Sequence, residues 1–82
     1  MLTAPQLLRM LTEEFGLDPA ETHGDTPLFS AGRLDSFHLV DLMTQLETRT
    51  GTRIKPGELT LENFDTVDRL VAFLSRKILP KS

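Results

Sequence analysis

The chain has 82 residues, enough for one small domain and not for two. With 39% hydrophobic and 26% charged residues, it reads as a globular protein rather than a disordered one. It has no cysteine, which excludes disulfides and thiolate metal sites, and its net charge of −3 argues against a nucleic-acid partner.

A chain this short buries roughly 60–65% of its unfolded surface, so a cleft holding several catalytic groups is hard to house. His23 and His38 share no ligand spacing, and no metal site is expected. The longest apolar stretches are only a few residues, too short for a transmembrane helix. The N-terminus lacks the basic-then-apolar layout of a signal peptide. The expectation is a cytoplasmic protein, and a monomer, since no large apolar interface stands out. Arg49, Arg53 and Lys55 form a small basic group that reads as solvated surface.

Thr3-Ala4-Pro5-Gln6 has the form of a capping box, with Pro5 in the first turn where its missing N–H costs little. Leu7, Leu8, Met10, Leu11 and Phe15 then recur at helical spacing, and Gly16 is a natural stop. The first helix is predicted over about 4–15, with Glu13 and Glu14 on a solvated face. Residues 16–35 form a long connection holding Pro19, Gly24, Pro27 and Gly32. Loops longer than about 12–15 residues are uncommon in compact domains and usually have a job. Leu17, Leu28, Phe29 and Leu34 can pin this one to the core.

The second helix is predicted over about 36–50 and ends at Gly51 as a left-handed residue. At about 100° per residue, Leu39, Leu42, Met43 and Leu46 fall on one arc, the core face. Phe37, Val40 and Thr44 fall on another arc, a partly apolar stripe the core does not need. Ile54 reads as a buried plug, and Pro56-Gly57 as a turn. A short third helix is predicted over about 60–64, with Leu61 and Phe64 pointing inward. Thr66 caps a last helix over about 66–78, with Asp68 near its positive end. Val67, Leu70, Val71, Phe73, Leu74 and Ile78 give its apolar face, and a frayed tail follows from Pro80. No period-2 stretch or internal repeat is present. The fold class is all-α: a small four-helix bundle filling residues 1–82, with a long first loop and an undersized third helix.

The chemistry concentrates at Gly32-Arg33-Leu34-Asp35-Ser36-Phe37. A serine at a helix start is most often its N-cap. Here Asp35 comes directly before it and caps at least as well. If Asp35 caps, Ser36 is the first helical residue and its hydroxyl is free. A helix N-terminus offers unpaired N–H groups and partial positive charge, which suits a phosphate ester on Ser36. A nucleophilic Ser36 needs a base within reach. His38 faces another side of the helix, nothing orients His23, and no G-x-S-x-G elbow is present. No catalytic residue is therefore assigned. Asp35 is either a plain cap or also a partner to a metal-bearing enzyme that acts on Ser36, and the local sequence leaves both open.

These residues resemble the acyl carrier proteins, the phosphopantetheine-dependent carrier family, over roughly residues 5 to 78. The most specific part is Gly32–Phe37 followed by the amphipathic run Leu39–Glu47. The resemblance implies the four-helix fold of that family and covalent 4′-phosphopantetheine on Ser36, delivered from coenzyme A by a phosphopantetheinyl transferase. It implies a non-catalytic carrier that holds an acyl or aminoacyl group as a thioester. Its further partners are then an acyl- or aminoacyl-activating ligase and downstream synthases or transferases. Phe37, Val40 and Thr44 match positions that face partners in the family, and Leu46, Ile54 and the last helix would line any pocket sheltering the cargo. Carriers of primary fatty acid synthesis usually have leucine after the serine and a strongly acidic second helix. Here Phe37 follows, and the helix has few acids, Asp41 and Glu47, with Arg49 near its end. The Leu-Asp-Ser-Phe form is more similar to discrete carriers of specialised pathways, or to D-alanyl carrier proteins. The expected cargo is a small acyl or amino acid. The rival from another class is a helical interaction module with no prosthetic group, in which Ser36 only caps; a third reading is a small serine hydrolase.

Overall fold

The helices form where the periodicity places them. A computed structural model describes residues 2–78, and the expected tail from Pro80 lies outside the described residues, as does the side chain of Ile78. In chain order the helices are α1 (Ala4–Glu14), α2 (Ser36–Thr50), α3 (Leu61–Phe64) and α4 (Val67–Ile78), with a 3-10 turn at Pro56–Glu58. Among the described residues the structure is all helical, with no strand.

Local chemistry sets each end. The Thr3 hydroxyl accepts the Gln6 N–H, and the Gln6 side chain accepts the Thr3 N–H, closing the expected capping box of α1. Phe15 is the C-cap, one residue past the helix, and Gly16 takes φ 73°. Gly51 ends α2 at φ 72°, a left-handed conformation that costs a glycine nothing. Thr60 caps α3, and the Thr66 hydroxyl accepts the Arg69 N–H at the start of α4. The predicted bounds at 60 and 66 were therefore caps rather than helical residues.

The core joins Leu7, Met10 and Leu11 of α1 to Leu42 and Leu46 of α2 and to Val67, Leu70, Phe73 and Leu74 of α4. Phe64 closes it from α3, its ring 5.5 Å from that of Phe73. Ile54 is the buried plug expected in the loop after α2, and Leu28 and Leu34 pin the long first loop. Leu17 and Phe29 pack against the same core, partly buried. Each such side chain contributes about 1.5–3 kcal/mol of burial, which is what holds an irregular loop of this length in place.

One expectation fails. Leu61 does not point inward: it is 52% exposed, while Phe64 is 1% exposed. A helix of one turn buries one side chain against α4, and Leu61 is left at the rim of a cavity. Glu14 and Arg49 lie on the solvent-exposed surface, as expected, and they also pair there. The Glu14 carboxylate accepts the Gln45 amide and pairs with the Arg49 guanidinium, tying the end of α1 to α2. All three members of the basic group, Arg49, Arg53 and Lys55, are exposed.

Candidate functional site: the mouth of the second helix

The approach to α2 is a tight stem. Gly32 takes φ 77°, so the chain turns there without a Cβ penalty. Its N–H donates to the Phe29 carbonyl at 3.1 Å, and the Leu34 N–H donates to the Leu28 carbonyl at 3.0 Å. Leu34 is buried, and this plants the residue before the Asp-Ser pair.

Asp35 is the N-cap. Its backbone is extended, and its carboxylate accepts the His38 N–H at 3.0 Å. In return His38 Nδ1 accepts the Asp35 N–H at 3.2 Å. The His38 N–H, backed by the nearby imidazole and the Phe37 N–H, holds the Asp35 carboxyl below the ordinary aspartate range, against the opposing effect of lost water. Asp35 is thus an anion at neutral pH. His38 is spent on this cap, and its ring lies 5.9 Å from that of Phe15 at the end of α1. It is not held for Ser36, so the hydrolase reading loses its one nearby base.

Ser36 is the first helical residue, and it is exposed. Asp35 takes the capping bonds, and no described group bonds the Ser36 hydroxyl. Beside it lies a cavity of about 260 Å³ walled by Phe29, Leu34, Leu39, Leu59, Leu61 and Phe64, with Asp35 and Ser36 also on its lining. Leu39 is half-buried: it packs against the core and borders this cavity. Leu46 and Ile54 are packed in the core and do not border this cavity.

The second stripe of α2 is free. Phe37 is 84% exposed and Val40 is 54% exposed, and Thr44 is exposed on the same side. Of the two acids of α2, Asp41 is exposed, whereas the Glu47 carboxylate accepts the Ile54 N–H at 2.7 Å and so works internally. Among the described residues no group of three or more His, Cys, Asp or Glu is arranged to hold a metal ion, and no helix is long and apolar enough to cross a membrane.

One residue of the site was not foreseen. Asp65, between α3 and α4, is buried and sends its carboxylate to the Leu28, Phe29 and Ser30 N–H groups and to the Ser30 hydroxyl. An Asp just before a Thr cap reads as surface charge, and nothing local in the sequence ties it to a serine so far away.

Comparison with known proteins bears on the same region. A family model described as "Phosphopantetheine attachment site" matches residues 5–74. The chain is 46% identical over 46 residues to acyl carrier protein 2 of Ralstonia nicotianae, spanning 56% of this chain and 57% of that protein. It is 42% identical over 59 residues to the lincomycin biosynthesis protein LmbN of Streptomyces lincolnensis, across 72% of this chain and 21% of that protein. It is 30% identical over 66 residues to the D-alanyl carrier protein of Lacticaseibacillus casei, across 80% of this chain and 82% of that protein. The match thus spans less than two thirds of the first two relatives.

Members of this family carry 4′-phosphopantetheine covalently on a serine and are not themselves enzymes. The residues present fit such a group, because the mouth of α2 offers an exposed serine hydroxyl that capping leaves uncommitted. By the match over residues 5–74 and the likeness to acyl and D-alanyl carriers, the chain belongs to the phosphopantetheine-dependent carrier proteins.

Proposed function

We propose that Ser36 is the attachment point and that the chain is a carrier of a small acyl or aminoacyl group in a specialised biosynthetic pathway. The observation that carries this reading is the free, exposed Ser36 hydroxyl at the first position of α2, with Asp35 doing the capping. The arm, joined to Ser36 Oγ through its phosphate, supplies a terminal thiol on which cargo is held as a thioester.

The chain's own residues do three things. The first turn of α2 turns unpaired N–H groups and its partial positive charge toward the position of an ester phosphate. The ionised Asp35, next to Ser36, is placed to meet a cation brought by the transferase. Phe37, Val40 and Thr44 form the surface that partner enzymes read: the transferase, an acyl- or aminoacyl-activating ligase and a downstream synthase or transferase. The likeness to D-alanyl carriers supports a small cargo. The reading implies a cytoplasmic protein, because its donor, coenzyme A, is a cytoplasmic metabolite, and a monomer whose exposed apolar stripe is kept for its partners.

The test is an intact mass after incubation with coenzyme A and a broad-specificity phosphopantetheinyl transferase. One phosphopantetheine adduct is expected on the natural chain and none on Ser36→Ala. An unchanged mass, with a transferase active on a control carrier, overturns the reading.

A further inference from the structure

Four donors converge on the Asp65 carboxylate. The Phe29 and Ser30 N–H groups reach Oδ1 at 2.8 and 2.9 Å, the Leu28 N–H reaches it at 3.2 Å, and the Ser30 hydroxyl reaches Oδ2 at 2.6 Å. The Leu28 N–H also donates to the Asp65 backbone carbonyl at 2.7 Å. Asp65 is 7% exposed, so this is a buried anion paid for by its donors rather than by water.

The bonds run on toward Ser36. The Phe29 carbonyl takes the Gly32 N–H, the Leu28 carbonyl takes the Leu34 N–H, and Asp35 follows directly. A hydrogen-bonded path therefore joins the α3–α4 junction to Leu34, the residue just before the cap of α2. The cap itself does not need this path, since the Asp35–His38 box is complete without it. What the path fixes is the stem, residues 28–34, which approaches Ser36 and contributes Phe29 and Leu34 to the neighbouring cavity wall.

We infer that Asp65 is a positioning residue for the modification of Ser36: it holds the 28–34 stem in the one arrangement that a phosphopantetheinyl transferase engages. The inference rests on the reading of Ser36 as the attachment point. A stem already ordered costs the complex no ordering on binding. A stem that is competent only part of the time raises the apparent dissociation constant by the inverse of that fraction, with the chemical step unchanged.

The experiment measures arm transfer from coenzyme A to the full chain by intact mass, giving KM and kcat for the natural protein and for Asp65→Asn, Ser30→Ala and Ser30→Thr. Amide exchange is followed on the same samples. Asp65→Asn is expected to raise KM roughly tenfold and Ser30→Ala by less, each with kcat within about twofold. Ser30→Thr, which keeps the hydroxyl, is expected to match the natural protein. Exchange in both weakened variants should speed up across 28–34 and stay unchanged in α1 and α4. A general loss of stability would instead loosen every helix together, and that outcome counts against a positioning role. Faster exchange in the stem with unchanged KM also overturns it. If Asp65→Asn does not fold, Ser30→Ala against Ser30→Thr decides on the same KM reading. A natural chain that accepts no arm overturns the attachment reading, and the positioning role with it. A natural chain that accepts it, with KM unmoved in the variants, overturns the positioning role alone.

Discussion

Asp35 and His38 cap each other. The His38 N–H donates to the Asp35 carboxylate, and the Asp35 N–H donates to His38 Nδ1. Histidine stands here where Glu or Gln usually completes a capping box. The pair closes the N-terminus of α2 without calling on Ser36, which separates the side chain that stabilises the helix from the one that is free to be esterified.

That separation predicts opposite phenotypes for adjacent residues. Ser36→Ala should leave stability within about 0.5 kcal/mol of the natural protein, because an exposed hydroxyl without partners contributes little. Asp35→Ala should lower the urea midpoint at unchanged slope, since the first-turn His38 N–H loses its acceptor. Equilibrium urea unfolding of the two variants checks this. The reverse ranking would make Ser36 the true cap and would remove the case for a free hydroxyl.

Phe37 predicts how partners bind. Its ring is 84% exposed beside Val40, and Asp41 is the one acid of α2 not used inside the molecule. Docking on this face should therefore depend on apolar contact more than on charge. Phe37→Ala should leave the unfolding midpoint in place and raise the transferase KM roughly tenfold, the usual scale for an aromatic anchor at an interface. The KM of the natural protein should change little as salt rises through the range where the Debye length shrinks from about 10 to 3 Å. A steep loss of affinity with salt would show that charge, not Phe37, carries recognition.

Leu61 and Phe64 test the placement of the third helix. Phe64→Ala removes a ring that is 1% exposed and packed on Phe73, so a loss of about 3–5 kcal/mol is expected. In a domain this small that is a large share of the total. Leu61→Ala, at a rim position that is 52% exposed, should stay within about 0.5 kcal/mol. Thermal or urea unfolding separates the two, and equal losses would mean that Leu61 is packed inward after all.

The same pair shows where reading the sequence stops. Periodicity, caps and left-handed glycines are short-range signals, and they locate α1, α2 and α4 to within a residue or so at each end. Ser36 could be read as free because two capping residues stand in a row and only the first can serve. Periodicity could not say which side of a single turn meets a neighbour, so Leu61 was placed inward. Nor could local pattern pair Glu14 with Arg49 or Ser30 with Asp65, because those bonds are decided by how helices pack. The cavity beside Ser36 was out of reach for the same reason: an unfilled space is a property of the assembled bundle.

Acid should release the stem. Burial pushes the Asp65 carboxyl up, but the Ser30 hydroxyl and the Ser30, Phe29 and Leu28 N–H groups outweigh it and hold the group below the ordinary aspartate value of 3.8. A carboxyl depressed by folding adds stability that is fully present above its unfolded value and is lost as pH falls through its folded one. No change from Asp65 is therefore expected between about pH 7 and 5, and loss of the clasp is expected below about pH 4. Asp35, lowered chiefly by the His38 N–H, and Glu58, lowered chiefly by the Lys77 ammonium, titrate in the same direction, so a global unfolding curve sums over all of them. The Phe29 and Ser30 amides isolate Asp65. Followed by NMR, they should hold steady to about pH 5, move together below about pH 4, and fail to show that step in Asp65→Asn. Movement centred near about pH 6.5, the ordinary histidine range, would place control of the stem at an imidazole instead and would remove Asp65 as the group that secures it.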